Sequence, residues 1–354
     1  MTPLGQRIAA LIASQGPISI AEFMTLALHD RDAGYYATRD PFGAAGDFIT
    51  APEISQMFGE LIGLWLAQVW QDQGRPARPL LVELGPGRGT LMADALRALR
   101  LVPDFRDGLE VVLVEASAVL RTAQQEALQG CGVAVRWSEN FDASRAGRPL
   151  FLVANEFFDA LPIRQYVKSE RGWCERMVTL GADGALAFAL SPVAISNAAV
   201  PADRGGAPRG AVYETAPGGE ALMEEIAHAV ARQGGAALVI DYGHDTPGFG
   251  ETLQAVAGHR FADVLAAPGA SDLSAHVDFR ALGDAAVRGG AAACGPVGQG
   301  ELLKALGIVQ RAGRLGDTPY VRKQLERLIL PEQMGILFKA LAVVPKSAPT
   351  PPGF

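Results

Sequence analysis

One stretch limits the fold more than any other. Residues 80–97 read LLVELGPGRGTLMADALR, an apolar strand, a glycine-rich turn and the start of a helix. That order builds the ligand-facing corner of a parallel βαβ unit, because the first N–H groups of a helix have no partner within it and point at whatever occupies the turn. The alternation continues. Candidate strands EVVLVEA (110–116), VAVRW (133–137) and LFLVAN (150–155) are spaced by helical stretches at 90–99 and 117–128. A helix at 217–232 and a strand AALVIDYG (236–243) follow. Short apolar strands alternating with helices predict an α/β fold with a doubly wound parallel sheet.

Around this core the pattern changes. Residues 3–78 read as helical with one long loop, and Ser19 with Glu22 forms an S-x-x-E capping box before FMTLAL. Thr50 and Glu53 (TAPE) give a second such signature, with Pro52 inside the first turn. Apolar residues then recur at helical spacing from 54 to 70. This helix, with two tryptophans, can bury against its own sheet, the usual arrangement, or in a homodimer. The glycine-bearing loop 43–53, with Asp47, reads either as a lid over a cleft or as a packed connector. Residues 163–180 predict a hairpin excursion and 192–211 a surface loop. TPYVRKQLERLI and PEQMGILFKALAV carry helix signals, and the tail 346–354 is expected to be disordered.

Composition closes off several function classes. The net charge of -7 argues against a nucleic-acid-wrapping surface. Three cysteines without CxxC spacing suggest neither a metal site nor a disulfide framework. No window is long and apolar enough to span a bilayer, and the N-terminus reads as a helix of the mature chain instead of a signal peptide. A cytoplasmic location and, from the arginine-rich, alanine-rich composition, a bacterial source are expected.

The turn itself discriminates between ligands. A dinucleotide fingerprint needs a glycine at 90, where threonine stands, and a P-loop needs a lysine that the stretch lacks. What it has is Glu83 ahead of Gly85, Gly87 and Gly89. An anionic Glu83 would repel a pyrophosphate and suit an ammonium, while the helix N-terminus suits a carboxylate. The amino-acid end of S-adenosyl-L-methionine fits both. Glu115, at the end of the second strand, stands where an acid can accept hydrogen bonds from two ribose hydroxyls. Asn140 and Phe141, after the third strand, are candidates for the adenine.

The fourth strand runs into NEFFD, placing Asn155, Glu156 and Asp159 at its carboxyl end, where such sheets bind ligands. This is the expected place for a methyl acceptor. An equally good structural reading has Asn155 capping a short helix whose dipole favours Glu156 and Asp159, with Phe157 and Phe158 in the core.

Several blocks, MTLALHDRDAGYYA (24–37), GDFITAPEISQMFGELIGLWL (46–66), LVELGPGRGTLM (81–92), LVEASAVLR (113–121), ANEFFDALPIRQ (154–165), IDYG (240–243), DLSAHVDF (272–279) and MGILFKAL (334–341), resemble the MidA-like methyltransferases, a family that includes a mitochondrial complex I assembly factor. The likeness covers nearly the whole chain. It implies a class I, Rossmann-like, seven-stranded methyltransferase domain over 79–345 with an insertion near 163–211, and a helical region 1–78 packed on it. It also implies S-adenosyl-L-methionine as donor, Gly85, Gly87, Gly89 and Glu115 as donor-binding residues, and Asn155 and Glu156 on the acceptor side. The acceptor it implies is an arginine, dimethylated symmetrically, on a 49-kDa-type subunit of respiratory complex I. Glu156 with Asp159 or Asp47 could hold such a guanidinium between carboxylates. A small-molecule or lipid methyltransferase and a non-catalytic complex I assembly protein with a vestigial donor site are the alternatives.

Overall fold

The computed structural model describes residues 1–38, 49–142, 147–196, 206–246 and 248–354. Its contacts divide the chain into two compact units: Met1–Arg39, Ala160–Gly219 and Thr246–Asp278 in one, and Asp40–Asp159, Glu220–Asp245 and Phe279–Phe354 in the other. This differs from the expected border at residue 78. Residues 4–36 share a core with the insertion, whereas the 56–72 helix belongs to the second unit.

In the first unit, helices Pro3–Gln15 and Ile20–His29 bury Leu4, Ile8, Phe23 and Met24 with Val178, Leu253 and Leu273. The Ser19–Glu22 box closes as expected. Ser19 Oγ accepts from Glu22 N at 3.1 Å and Glu22 Oε2 accepts from Ser19 N at 2.7 Å. The expected hairpin is present as Arg164–Ser169 paired antiparallel with Gly172–Leu180, inside a five-stranded sheet.

The second unit is built on seven strands: β1 Leu80–Leu84, β2 Glu110–Val114, β3 Ala134–Ser138, β4 Leu150–Asn155, β5 Gly235–His244, β6 Ala292–Gly298 and β7 Phe338–Val344. Their order is β3-β2-β1-β4-β5-β7-β6. Strands β1 to β5 pair in parallel, and β7 runs antiparallel between β5 and β6. Every residue of β1 and β4 is buried, which explains their unbroken apolar runs. Residues 338–344 lie in the region read as helix from sequence. An apolar run buried on both faces has no period of two to betray it, and its short length is the cue for a strand.

Helix α1, Gln56–Asp72, covers this sheet with Phe58, Trp65, Leu66 and Trp70 buried in the core of its own unit. The expected TAPE box does not form. Ala51–Ile54 makes one isolated turn without a side-chain cap, and α1 starts afresh at Ser55, whose hydroxyl accepts from Met57 N. Nor is the tail loose at its end: Trp65 Nε1 donates to Pro352 O at 3.0 Å, and the Phe354 ring meets Trp65 edge-on. No helix among the described residues is long and apolar enough to cross a membrane.

Candidate functional site

Within the sheet, β2 pairs with one edge of β1 and β4 with the other. The carboxyl ends of β1 and β4, paired through Leu84 and Ala154, therefore flank the point where strand order reverses, and a crevice opens there. Both sequence candidates lie at it.

After β1, Gly85, Gly87 and Gly89 all take left-handed backbone angles, φ 60°, 53° and 84°. Such angles strain any residue with a Cβ. At Gly85 a Cβ would also stand 2.7 Å from Cδ2 of Phe157, so the turn and the segment after β4 are in direct contact. Helix α2, Thr90–Ala98, starts at Gly89, and the Thr90 hydroxyl donates to Glu53 Oε1. Glu53 thus anchors the helix that follows the glycine turn, and does not cap its own.

Glu83 is 3% exposed and its Oε2 has no partner. Burial pushes its acid up to about 8. An unpaired buried carboxyl group is costly unless something supplies the missing charge or donor. It lines a cleft together with Gly85, Gly87, Thr90, Asn155 and Glu156. This orphan atom on the cleft wall fits an ammonium group, and Glu83 with the glycine turn would hold the amino-acid end of S-adenosyl-L-methionine.

Glu115 follows β2 and is buried. Its Oε1 accepts from Ser117 N at 2.8 Å and its Oε2 from Gln124 Nε2 at 3.2 Å. Burial raises its acid above the ordinary value even so. Gln124, on helix α3 (Ala118–Ala127), also donates to Gly87 O at 2.7 Å and accepts from Trp137 Nε1 at 2.9 Å. It thereby ties Glu115 to the glycine turn. Sequence reading missed Gln124, although a glutamine on the apolar face of an amphipathic helix was a visible signal. Asn140 and Phe141 are not among the residues lining the cleft. Asn140 is exposed, and its carbonyl accepts from Ser138 Oγ at 2.7 Å.

At the end of β4, Glu156 N continues the ladder by donating to Ile240 O at 2.9 Å, and the backbone then turns into the left-handed region at Glu156, φ 51°. That conformation is uncommon outside glycine, so the surroundings must impose it. The carboxylate turns inward: Oε1 accepts from Ala51 N at 2.8 Å and from Asn155 Nδ2 at 3.1 Å. Burial raises the Glu156 acid to about 7, with the charge of Asp159 adding to it against the Ala51 bond. Asn155 Oδ1 is buried without a partner. Asp159 is not among the residues lining the cleft, and its Oδ2 accepts from Tyr242 OH at 2.6 Å. Asn155 does not cap the short helix Phe158–Ala160 either. Asp241 of β5 does so, its Oδ2 accepting from the backbone N–H groups of Phe157, Phe158 and Asp159 at 3.1, 3.0 and 3.2 Å. Asp47 lies outside the described residues, as do residues 43–48 of the loop read as a lid or a connector.

Residues 61–297 match a sequence family described as S-adenosyl-L-methionine-dependent methyltransferase. The chain is 38% identical to protein arginine methyltransferase NDUFAF7, mitochondrial, of Danio rerio, with 96% of this chain and 86% of that one covered. Against the Homo sapiens protein of the same name it is 36% identical, covering 98% and 84%. A superfamily member from Burkholderia thailandensis, solved bound to S-adenosyl-homocysteine, superposes with a TM-score of 0.86 at 31% identity, covering 99% of this chain and 93% of that one.

Proposed function

Because the chain belongs to this family of S-adenosyl-L-methionine-dependent methyltransferases and has its class I, seven-stranded fold, we propose that its acceptor is an arginine side chain of a protein and that Glu156 receives it. The observation that carries the proposal is the position of Glu156, an inward-turned carboxylate on the wall of the same cleft that the glycine turn lines. A guanidinium presents five N–H donors in a planar fork and no acceptor. Glu156 and the unpartnered Asn155 Oδ1 offer adjacent acceptors of matching chemistry, one charged and one neutral. Two relatives named protein arginine methyltransferase support the same choice.

When bound, the donor supplies a methyl group on a positively charged sulfur. The chain's own contribution is to hold one guanidinium nitrogen in line with that methyl, which accounts for much of an acceleration of this kind. As the nitrogen–carbon bond forms and the carbon–sulfur bond breaks, the nitrogen gives up a proton. Glu156, with an acid near 7, is tuned to take it at neutral pH. Within the proposal, the protein is a 49-kDa-type subunit of complex I, the product is symmetric dimethylarginine, and the enzyme works in the cytoplasm. The test is to incubate the enzyme and methyl-labelled S-adenosyl-L-methionine with protein extract from a strain lacking the gene, then hydrolyse the labelled protein. Label recovered as symmetric dimethylarginine supports the proposal. Label in another amino acid, or only in small molecules or lipids, overturns it.

A further inference from the structure

Strand β5 carries IDYG just before its last residue, His244, and the proposed reaction leaves its acid and its phenol unused. We infer that Asp241 is the positioning residue of the acceptor turn: its carboxylate fixes the backbone of residues 156–159 in the one conformation that aims Glu156 into the cleft. Asp241 is fully buried. Its Oδ2 collects three consecutive backbone N–H groups, Phe157 to Asp159, and its Oδ1 accepts from Tyr242 N at 2.9 Å. Three converging donors on one oxygen define the path of the chain immediately after Glu156, where the backbone takes its left-handed angle. The strand holds the same turn at two more points. Ile240 O accepts from Glu156 N at 2.9 Å, and Tyr242 OH donates to Asp159 Oδ2 at 2.6 Å. Three successive residues of β5 thus fasten both ends and the middle of the turn. Without Asp241, three backbone donors inside the protein lose their acceptor, and the turn gains freedom to rotate Glu156 away from Ala51. Displacement of a reacting group by about 1 Å can lower a rate about a hundredfold.

The inference rests on Glu156 facing the acceptor, and its test separates the two. Hydrogen exchange, read by mass spectrometry, needs no acceptor. In Asp241→Ala the amides of 157–159 should exchange at least about tenfold faster than in the parent, with β4 unchanged. With labelled S-adenosyl-L-methionine and protein extract from the deletion strain, kcat for Asp241→Ala should fall by about a hundredfold while the donor KM stays within about threefold. Asp241→Asn keeps one oxygen for the turn and should recover the exchange protection and most of kcat. Should the alanine chain fail to fold, Asp241→Glu displaces the carboxylate by one methylene and carries the same comparison. Unchanged exchange at 157–159, or a kcat within about threefold of the parent in the folded variant, overturns the inference. A loss of kcat in Asp241→Ala beside parent activity in Glu156→Gln keeps Asp241 as the anchor of the turn and refutes the role of Glu156.

Discussion

Glu83 occupies a strand position enclosed on every side, and its Oε2 has no hydrogen-bond partner there. With its acid pushed up to about 8, the donor-free protein holds it neutral at pH 7, whereas an ammonium needs it charged. Binding the amino-acid end of the donor should therefore release a proton. Affinity for S-adenosyl-homocysteine should rise from pH 5 and level off near pH 8, where Glu83 is already ionised before the ligand arrives. Calorimetry in two buffers of different ionisation enthalpy checks this, and Glu83→Gln should flatten the slope. A parent slope of zero would remove Glu83 from the amino-acid pocket. The same shift has a stability consequence of opposite sense. A folded-state pKa above the unfolded one favours the fold at low pH, so Glu83 contributes a loss of stability of up to a few kcal/mol as pH rises from about 4.5 to 8, and Glu83→Gln should reduce the parent's loss in urea titrations, leaving the part due to Glu156. Glu83 and the glycines were legible in sequence because their spacing to a strand end is itself the signal. Asp241 and the left-handed Glu156 were not, since an Asp within a strand acquires meaning only from the turn of another strand that it bonds.

Helices α1 and α2 meet through glycine. At Gly63 a Cβ would lie 2.7 Å from Cα and 2.8 Å from O of Ala95, backbone atoms that cannot step aside. Buried Glu60 adds to the contact, accepting from Arg97 Nη2 at 2.9 Å and from Arg311 Nε at 2.7 Å. This packing seats the helix that starts at the glycine turn. Gly63→Ala should cost roughly 1–3 kcal/mol in urea unfolding and weaken S-adenosyl-homocysteine binding. A stability within about 0.5 kcal/mol of the parent would mean that the helices move apart at little cost. At this scale the sequence was most informative where local chemistry decides the outcome. Strands β1, β2 and β4, the Ser19 box and the hairpin fall close to where they were expected, whereas the TAPE turn and β7 do not. Thr50 has the right neighbours for a cap, but Glu53 is claimed by Thr90, a partner distant in sequence. For β7, location between two strands overrode a helix-like pattern.

The whole molecule brings its chemistry together through topology. Reversal of strand order between β1 and β4 puts the glycine turn and the NEFFD segment on one cleft, with β5 behind the second of them. The parallel sheet could be read from alternation alone. The division into two units could not, because each is assembled from three separate stretches of chain whose shared cores depend on distant contacts. A Glu156→Gln variant tests most directly whether that cleft serves donor and acceptor through different residues. S-adenosyl-homocysteine affinity and methyl transfer to protein from the deletion strain are measured on the same preparation. Affinity within about threefold of the parent, with transfer reduced by about a hundredfold or more, is the predicted result. Transfer at the parent rate would show that Glu156 only ties the turn to Ala51, and that the acceptor is held elsewhere.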